Sequence, residues 1–363
     1  MTTLRVLLHV AAQRDYELHF LDFSTAFLQS SLHEEIWLHR PPGFTGSFPP
    51  GTQWSLRRPV CGLRQAPREW HDTLRTALAA LGFAPSTADP SLFLRTDTSL
   101  PFYVLWYVDD LVFATADTEA LTLVKSELQK RHTCTDLGEL RSYLGLQITE
   151  DRVRRTITLT QSHMVHQVFQ RFGFQFSSPQ PTPLSTGHSL SAPPSDESVE
   201  PSGPYPELVG CLITTSMGLV LGGRSPVVLT GHVDASWIFA GAMAAQELRW
   251  LTYLLTDLGK QPRSPPVLYV DNKTMIALCL EHGLEHRTKH IALRYFLVRE
   301  LQQCCQLRLA YVATKANTAD SFTKTIPPSD HQRFSTVLGL LALLFLTGLV
   351  TLLFSPTLHM GMC

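Results

Sequence analysis

Three aspartates occupy positions where a protein can hold a hard divalent metal. Asp22 lies at the end of a short apolar segment, ELHFLDF, whose pattern predicts a strand. Asp109 and Asp110 alone separate two apolar, β-rich runs, residues 102–108 and 111–115, which predicts a β-hairpin with both acids at its tip. Carboxylate oxygens suit magnesium, and two such ions about 3.5–4 Å apart can clamp the attacking and leaving oxygens of a phosphoryl transfer. The three aspartates therefore predict a two-metal site.

An Asp-Asp pair is unusual at the tip of a hairpin, where Asn-Gly and Asp-Gly are the favoured two-residue loops. A departure from good turn chemistry often marks a position that is kept for function. An isolated pair of this kind is nevertheless most often a solvated turn. The functional interpretation of Asp109 and Asp110 therefore depends on the segments that surround them.

The N-terminal part of the chain contains an ordered series of motifs. They are LDFSTAFLQ (residues 21–29), CGLRQAPREW (61–70), YVDD (107–110), LGELRSYLGLQI (137–148) and LTQSHMVHQVFQRFGF (159–174). In this order they resemble the reverse transcriptase of copia-type retrotransposon polyproteins. YVDD is the catalytic signature of that family, and Cys61 stands where the family usually has Tyr. The resemblance covers nearly all of residues 1–210, so we interpret the chain as a fragment of such a polyprotein.

The resemblance implies an RNA-directed DNA polymerase, a nucleotidyltransferase that extends a primer with dNTPs. By that resemblance Asp22, Asp109 and Asp110 are the catalytic residues and the ligands of Mg²⁺ or Mn²⁺. The implied partners are an RNA or DNA template–primer, dNTPs and the parent polyprotein. In a transposable element the DNA product would go on to DNA integration.

Three further residues are implied to bind the substrate. Phe27 matches an aromatic side chain that excludes a ribose 2′-hydroxyl and so selects deoxynucleotides. Gln65 matches a residue that helps to position the incoming nucleotide. Arg64, with neighbouring arginines, is a candidate phosphate contact, because a guanidinium pairs with phosphate in bidentate fashion. The alternatives are that Phe27 is a core residue and that the arginines form a solvated surface.

A second set of aspartates resembles the ribonuclease H domain of the same polyproteins. They are Asp234 in GHVDASW, Asp271 in LYVDNKTMIAL and Asp320 in YVATKANTADSFTK. The family has a catalytic Glu and two more strands after the first Asp, whereas here Trp237 is followed almost at once by the helix AMAAQELRW. We therefore expect a degenerate domain that has lost ribonuclease H activity.

The charge of the chain supports a competing hypothesis. The formal net charge is −1, whereas nucleic-acid enzymes usually present a basic surface. The resemblance implies that the basic fingers region and much of the connection after residue 212 are also missing, which would weaken dNTP binding. A catalytically inactive remnant with weak nucleic-acid binding is therefore the alternative to an impaired polymerase.

Composition and periodicity predict the organisation of the chain. The apolar pattern predicts helices over residues 1–15, 66–82 and 162–172, and Trp70 lies on the apolar face of the second of these. It also predicts three strands, over residues 227–237, 265–271 and 307–313. With 44% hydrophobic residues the chain can bury a core, which excludes a disordered protein. We predict the α+β class: by resemblance, a partial right-hand polymerase palm with an antiparallel catalytic sheet, then an incomplete ribonuclease H-like α/β domain. The predicted divisions are reverse transcriptase 1–176, linker and truncated connection 177–226, ribonuclease H-like domain 227–326 and tail 327–363.

The tail contains an uncharged apolar run, residues 337–354, which is close to the minimum length that spans a bilayer. No Lys or Arg follows it to set an orientation, so read-through into adjacent element sequence is the preferred interpretation and a transmembrane anchor the alternative. Seven cysteines without a C-x-x-C pair indicate reduced thiols and no zinc site. We expect an intracellular protein, in the cytoplasm, a virus-like particle or the nucleus, unless the run inserts into a membrane.

Overall fold

The computed structural model of the chain describes residues 1–39, 52–96, 100–173, 217–233, 238–280, 292–324, 326–342 and 357–362. The chain divides into two compact units. The hairpin unit is Asp15–Leu140, and the flanking unit combines Met1–Arg14 with Arg141–Cys363. Both units contain helices and sheets, as the α+β class predicts.

The secondary-structure elements of the described residues have the following bounds. The α-helices are α1 (Thr2–Arg14), α2 (Ala66–Ala79), α3 (Thr118–Arg131), α4 (Ser162–Phe172), α5 (Ile238–Asp257), α6 (Lys273–Leu280), α7 (Ala292–Gln303), α8 (Asp320–Thr323) and α9 (Pro328–Val337). The strands are β1 (Glu17–Phe23), β2 (Trp37–Leu38), β3 (Trp54–Ser55), β4 (Ala84–Pro85), β5 (Leu92–Arg95), β6 (Phe102–Tyr107), β7 (Asp110–Thr115), β8 (Cys134–Glu139), β9 (Ser142–Tyr143), β10 (Leu146–Asp151), β11 (Thr156–Thr160), β12 (Met217–Gly222), β13 (Val228–Val233), β14 (Val267–Val270), β15 (Arg308–Tyr311), β16 (Leu340–Ala342) and β17 (Thr357–Met362). Short 3₁₀ helices occupy Ala26–Gln29 and Thr314–Ala316.

The hairpin unit is built around a six-stranded antiparallel sheet in the order β4-β5-β6-β7-β1-β8. Strands β6 and β7 form the predicted hairpin. Strand β1, which carries Asp22, pairs with β7 on one side and with β8 on the other. The predicted strand at residues 17–23 is therefore confirmed, and its neighbours fix it from both edges.

Helix α2 covers this sheet with one apolar face. Trp70, Leu74 and Leu78 recur at helical spacing and are fully buried. They belong to one hydrophobic cluster with Phe23 of β1 and with residues of β5, β6, β7 and α3. The Phe23 ring meets the Trp70 ring edge to face at 5.0 Å. Truncation of Leu74 to Ala should cost about 2–5 kcal/mol, so a rigid layer supports the strand that carries Asp22.

Helix α3 is anchored at its start and along its buried face. The Asp117 side chain caps the helix by accepting a hydrogen bond from the Ala120 N–H at 2.9 Å. Lys125 is buried, and its Nζ donates to Asp136 of β8 at 2.7 Å and lies 2.6 Å from Nδ1 of His19 on β1. This buried lysine links α3 to the edge strand β8 and to its neighbour β1.

The flanking unit contains an antiparallel five-stranded sheet in the order β16-β12-β11-β10-β9. The predicted N-terminal helix is confirmed as α1, and it packs on β11 and β12. His9 of α1 is buried and accepts a hydrogen bond at Nδ1 from the Gly222 N–H at 2.9 Å. Gly222 has a φ of +96°, and a Cβ at that position would collide with Ala12 and the Arg155 backbone. The close approach of α1 to β12 thus requires glycine.

The second sheet of the flanking unit is parallel, in the order β15-β14-β13-β17. Its strands β13, β14 and β15 fall within the three strands predicted for this region, and α5 packs on β13 and β14. Strand β12 lies inside the segment predicted to be linker and truncated connection. Residues 174–216 lie outside the described residues, so the predicted domain divisions stay predictions.

The apolar run predicted in the tail is described only at its start. Helix α9 ends at Val337, and β16 pairs with β12. Residues 343–354 lie outside the described part of the chain. Among the residues that the structure describes, no helix is long and apolar enough to cross a bilayer.

Candidate active site

The register of the central strands brings two of the three predicted aspartates opposite each other. Asp22 of β1 pairs with Asp110 of β7 in the antiparallel ladder. Directly opposed residues in such a ladder have Cβ atoms about 4.5–5.5 Å apart on the same face of the sheet. The two carboxylates are therefore neighbours at one end of the β1–β7 ladder, although they are distant in sequence.

The hairpin loop contains Asp109 but not Asp110. Tyr107 pairs with Asp110 across β6 and β7, so the two-residue loop is Val108–Asp109. The prediction that both aspartates form the tip is wrong by one residue, because the ladder continues through Asp110 to pair with Tyr107 and with Asp22. Val108 has a φ of +54°, a region that a residue with a branched Cβ rarely adopts. The YVDD segment is thus built on a strained loop.

Hydrogen bonds from both flanks hold this loop. The indole Nε1–H groups of Trp70 and Trp106 both donate to the Val108 carbonyl oxygen, at 2.8 and 2.6 Å. The backbone N–H of Phe23 donates to the Asp109 carbonyl oxygen at 2.7 Å. The residue that follows Asp22 is therefore bonded directly to the loop.

The carboxylates are electrostatically coupled. Burial raises the pKa of Asp110 to about 6, and the charges of Asp22 and Asp109 add to that shift. Burial, followed by the charge of Asp22, also raises the pKa of Asp109. Within the described residues, the buried Oδ1 atom of Asp109 has no hydrogen-bond partner. An unpartnered buried oxygen is costly, so the arrangement favours an added cation.

The donor set fits a hard divalent cation in its chemistry. Asp22, Asp109 and Asp110 offer the carboxylate oxygens that magnesium and manganese prefer, and one of these oxygens is buried without a hydrogen-bond partner in the part of the chain that the structure describes. They do not form a closed ligand cluster, because in the described residues no group of three or more His, Cys, Asp or Glu side chains is arranged to hold a metal. The structure shows adjacent carboxylates rather than a formed metal centre.

The residues predicted to bind the nucleotide lie on elements around the carboxylates. Phe27, in the 3₁₀ helix Ala26–Gln29, is half-buried and packs against the core cluster, as the core alternative predicts. Gln65 immediately precedes α2, and its Nε2 donates to Glu34 Oε2 at 3.0 Å. Arg64 is exposed. None of these contacts joins them to the aspartates, and their roles in substrate binding stay predictions.

An open cleft with basic walls lies beside β8. Its volume is about 580 Å³, and its lining includes Arg58, Lys130, Arg131 and His132. Burial, and then the charge of Arg131, lowers the pKa of His132, so the positive charge comes from the lysine and the arginines. Cys134 at the cleft pairs with Phe23, next to Asp22. Glu127 forms ion pairs with Lys130 at 2.7 Å and with Arg131 at 3.8 Å, so the positive charge of this cleft is partly compensated.

Sequence reasoning missed the functional setting of Trp70 and Trp106. Trp70 was predicted from helical periodicity as a member of an apolar face, and Trp106 lies within an apolar run. Nothing in either pattern indicates that an indole N–H reaches the Val108 carbonyl. A tryptophan that is buried in a core and needs a hydrogen-bond acceptor is a weak signal that was available.

The second aspartate set is described only in part. Asp234 lies outside the described residues. Asp271 follows β14, and Asp320 begins α8, where its Oδ1 is bonded to Lys324 Nζ at 2.9 Å. Asp320 is buried, and this ion pair neutralises it. Among the residues described, these acids do not join a group that could hold a metal.

Comparison with known proteins agrees with the motif series. The sequence model of the family described as reverse transcriptase (RNA-dependent DNA polymerase) matches residues 1–186. The chain is 27% identical over 420 aligned positions to the retrovirus-related Pol polyprotein from transposon RE2 of Arabidopsis thaliana, which covers 94% of this chain and 29% of that protein. It is 26% identical over 427 positions to the corresponding polyprotein from transposon TNT 1-94 of Nicotiana tabacum, covering 94% of this chain and 32% of that protein.

Among solved structures, the chain matches a foamy viral protease-reverse transcriptase in complex with double-stranded DNA. That match has a TM-score of 0.33 and 12% identity, and it covers 86% of this chain and 57% of that chain. A similarity this low carries no argument about the fold. The chain spans about a third or less of the length of the two curated relatives named above. Because the family model matches just over half of the chain, and because the relatives are transposon polyproteins of the copia type, this chain belongs to the reverse transcriptase (RNA-dependent DNA polymerase) family.

Proposed function

We propose that the hairpin unit is the palm of an RNA-directed DNA polymerase that joins dNTPs to a primer by two-metal nucleotidyl transfer. The observation that carries this proposal is the pairing of Asp22 with Asp110 across β1 and β7, beside a loop that holds Asp109. A six-stranded antiparallel sheet with carboxylates at one end supports the palm assignment. Family membership supports the reaction class.

The proposed roles follow from the positions of the side chains. Asp22 and Asp110, on adjacent strands, would hold the Mg²⁺ or Mn²⁺ pair, and Asp109 would contribute its unpartnered Oδ1 atom. When bound, the metals would supply charge stabilisation for the attacking and leaving oxygens. The strands fix the carboxylates in advance, so that little reorganisation is needed at the moment of reaction.

The residues proposed to bind the nucleotide are exposed or half-buried in the structure. Phe27, half-buried at the edge of the core, would present part of its ring to the sugar of a dNTP. Gln65 and Arg64 would contact the nucleotide, Gln65 after giving up its bond to Glu34. The basic cleft near β8 supports contact with the phosphate backbone of the template–primer.

We also propose the cellular compartment in which the protein acts. Cys61, Cys134, Cys279, Cys304 and Cys305 are free thiols, which suits an intracellular compartment. The cytoplasm, a virus-like particle or the nucleus are proposed as places of action, with the parent polyprotein as a covalent partner. Membrane association through residues 337–354 is not favoured.

The second candidate function is an inactive remnant that binds nucleic acid weakly. It is favoured by the absence of a formed metal cluster within the described residues and by the net charge of −1. The alignments are longer than this chain, so the relatives carry residues inside the matched region that have no counterpart here. The Asp320–Lys324 ion pair also supports the proposal that ribonuclease H activity is lost.

A primer-extension assay separates the two candidates. The wild-type chain should incorporate dNTPs on an RNA template in the presence of Mg²⁺ or Mn²⁺, and chelation should stop the reaction. Asp109→Asn should remove incorporation, whereas the matched control Asp271→Asn should retain it. Absence of incorporation by the wild-type chain at high enzyme concentration, with template binding retained, would support the remnant.

A further inference from the structure

Two tryptophans outside the YVDD motif hold the strained loop of the proposed polymerase. We propose that Trp70 and Trp106 are positioning residues: their indole N–H groups jointly hold the Val108 carbonyl, and through it the loop that contains Asp109 and leads into Asp110. This inference rests on the proposed function for its consequence in catalysis. The effect on the loop itself is independent of it.

The donor on Trp70 comes from a rigid part of the core. Trp70 is fully buried in α2, and its ring is fixed edge to face against Phe23 at 5.0 Å and against His132 at 5.7 Å. A buried indole N–H that lacks an acceptor is costly. The Val108 oxygen, at 2.8 Å, supplies that acceptor, so the core and the loop constrain each other.

The donor on Trp106 comes from the hairpin itself. Trp106 lies in β6, two residues before the carbonyl that it contacts at 2.6 Å, and its ring stacks in a tilted arrangement on His71 of α2 at 4.8 Å. A backbone carbonyl oxygen has two lone pairs, and the two indoles use both. The Val108 carbonyl is thus held from α2 and from β6 at once.

This double hold accounts for a conformation that would otherwise relax. A non-glycine residue in a sparsely populated backbone region persists only when its surroundings over-determine it, and Val108 has a φ of +54°. If the carbonyl were released, Val108 would rotate towards negative φ and Asp109 would move with it. The Asp109 carbonyl accepts the Phe23 N–H at 2.7 Å, so the movement would also loosen the backbone beside Asp22.

The principal test is Trp106→Phe, which keeps an aromatic ring on His71 but removes the N–H donor. We expect Mn²⁺ affinity, measured by electron paramagnetic resonance, to fall about five-fold, as for the loss of one hydrogen bond. The kcat for primer extension should fall while the KM for dNTP stays unchanged, and amide hydrogen exchange at Phe23 should accelerate. Trp37→Phe, at an exposed tryptophan of the same unit, should change none of these quantities.

A second variant separates the hold on the loop from general damage. Glycine adopts positive φ without steric cost, so Val108→Gly should remove most of the need for the indole donors. Trp106→Phe should therefore weaken Mn²⁺ binding much less in the Val108→Gly background than in the wild-type background. Equal losses in the two backgrounds would contradict the inference.

The exchange measurement keeps this inference separate from the proposed function. A wild-type chain that binds no Mn²⁺ and extends no primer would contradict the proposed polymerase function. The exchange rate of the Phe23 amide would still measure how firmly the loop is held. Unchanged exchange at Phe23 in Trp106→Phe would overturn the inference whether or not the chain is active.

Discussion

In the hairpin unit, Asp22 and Asp110 face each other across two strands, and among the described contacts no cation is bonded to either. In the flanking unit, the buried Asp320 is bonded to Lys324 at 2.9 Å. Both regions carry aspartates at strand or helix ends in motifs that resemble two-metal sites. The two regions differ in whether a basic side chain of the protein is paired with the aspartate: Lys324 is paired with Asp320, and no such partner is described for Asp22 or Asp110.

This difference is the one that the proposed function predicts between an active site and a structural remnant. Like charges held side by side without a counterion destabilise a fold, and such a conflict persists where function requires it. A buried carboxylate that is neutralised from within has less need of a metal. Under the proposed function, we expect the chemistry to lie in the hairpin unit and Asp320 to have a structural role, and the following predictions test that expectation in order of expected effect.

The largest effect should come from Asp22 on strand β1. Asp22→Asn should lower primer-extension kcat about a thousand-fold, because a metal ligand contributes several kcal/mol of charge stabilisation. Asp320→Asn should change the same rate less than about two-fold, as expected for a substitution away from the reacting atoms. Similar losses of rate in the two variants, when circular dichroism shows that both chains are folded, would contradict the difference in role between the two aspartate sets.

A buried polar atom without a partner need not mark a site, and His9 shows the difference. Its Nε2 is buried without a hydrogen-bond partner among the described residues, but the charge that acts on His9 is that of Lys260 and not that of a carboxylate. Burial, and then the charge of Lys260, lowers the pKa of His9 to about 4. Because the unfolded chain binds the proton more tightly, His9 contributes stability above its ordinary pKa of 6.5 that is lost as pH falls towards 4.

The expected loss is at most about 3 kcal/mol between pH 7 and pH 4. His9→Gln retains an acceptor for the Gly222 N–H but does not titrate. Denaturant unfolding of both chains across this range should show a wild-type stability that declines relative to the variant as the solution becomes acidic. Parallel curves would mean that His9 titrates alike in the folded and unfolded chain.

Stability without metal should move in opposite directions for the two aspartate sets. Asp110→Asn should stabilise the metal-free chain by about 1 kcal/mol at neutral pH, a value reduced for solvent screening of a partly exposed group. Asp320→Asn should destabilise it by about 1 kcal/mol, because a partly buried charge-assisted bond to Lys324 is lost. Thermal unfolding in the presence of a chelator measures both, and destabilisation by Asp110→Asn would show that its charge is already compensated.

The smallest effect should come from the rim of the proposed site. Arg64 is exposed, so Arg64→Gln should raise the KM for dNTP about three-fold and leave kcat unchanged, in keeping with the modest value of exposed charge pairs. Arg154→Gln, at an exposed arginine of the flanking unit, is the matched control. An equal rise in KM for the control would assign the effect to general electrostatics.

Local sequence patterns predict the helices and strands well where the apolar periodicity and the residues that begin or end an element agree. Residues 162–172 were predicted as a helix and α4 has those bounds. Helix α2 ends at Ala79 rather than at the predicted residue 82, because Gly82 adopts a φ of +84° and the Phe83 N–H bonds back to the Leu78 carbonyl. This glycine-terminated helix end is a signal that was present in the sequence.

Long-range pairing was beyond local patterns. Strand β8 has the sequence CTDLGE, which lacks apolar alternation, and it forms a strand only because β1 offers it a hydrogen-bonding edge. The three catalytic candidates were identified from their motifs, but the pairing of Asp22 with Asp110 depends on strand register, which a shift of one residue would destroy. The one-residue error at the loop has the same origin.

The most direct measurement is an anomalous difference map from crystals grown with Mn²⁺, a chain-terminated primer on its template, and the next dNTP. The account predicts two manganese peaks about 3.5–4 Å apart, bridged by carboxylate oxygens of Asp22 and Asp110. Manganese found only at Asp271 or elsewhere in the flanking unit, with the β1–β7 carboxylates bare, would contradict it.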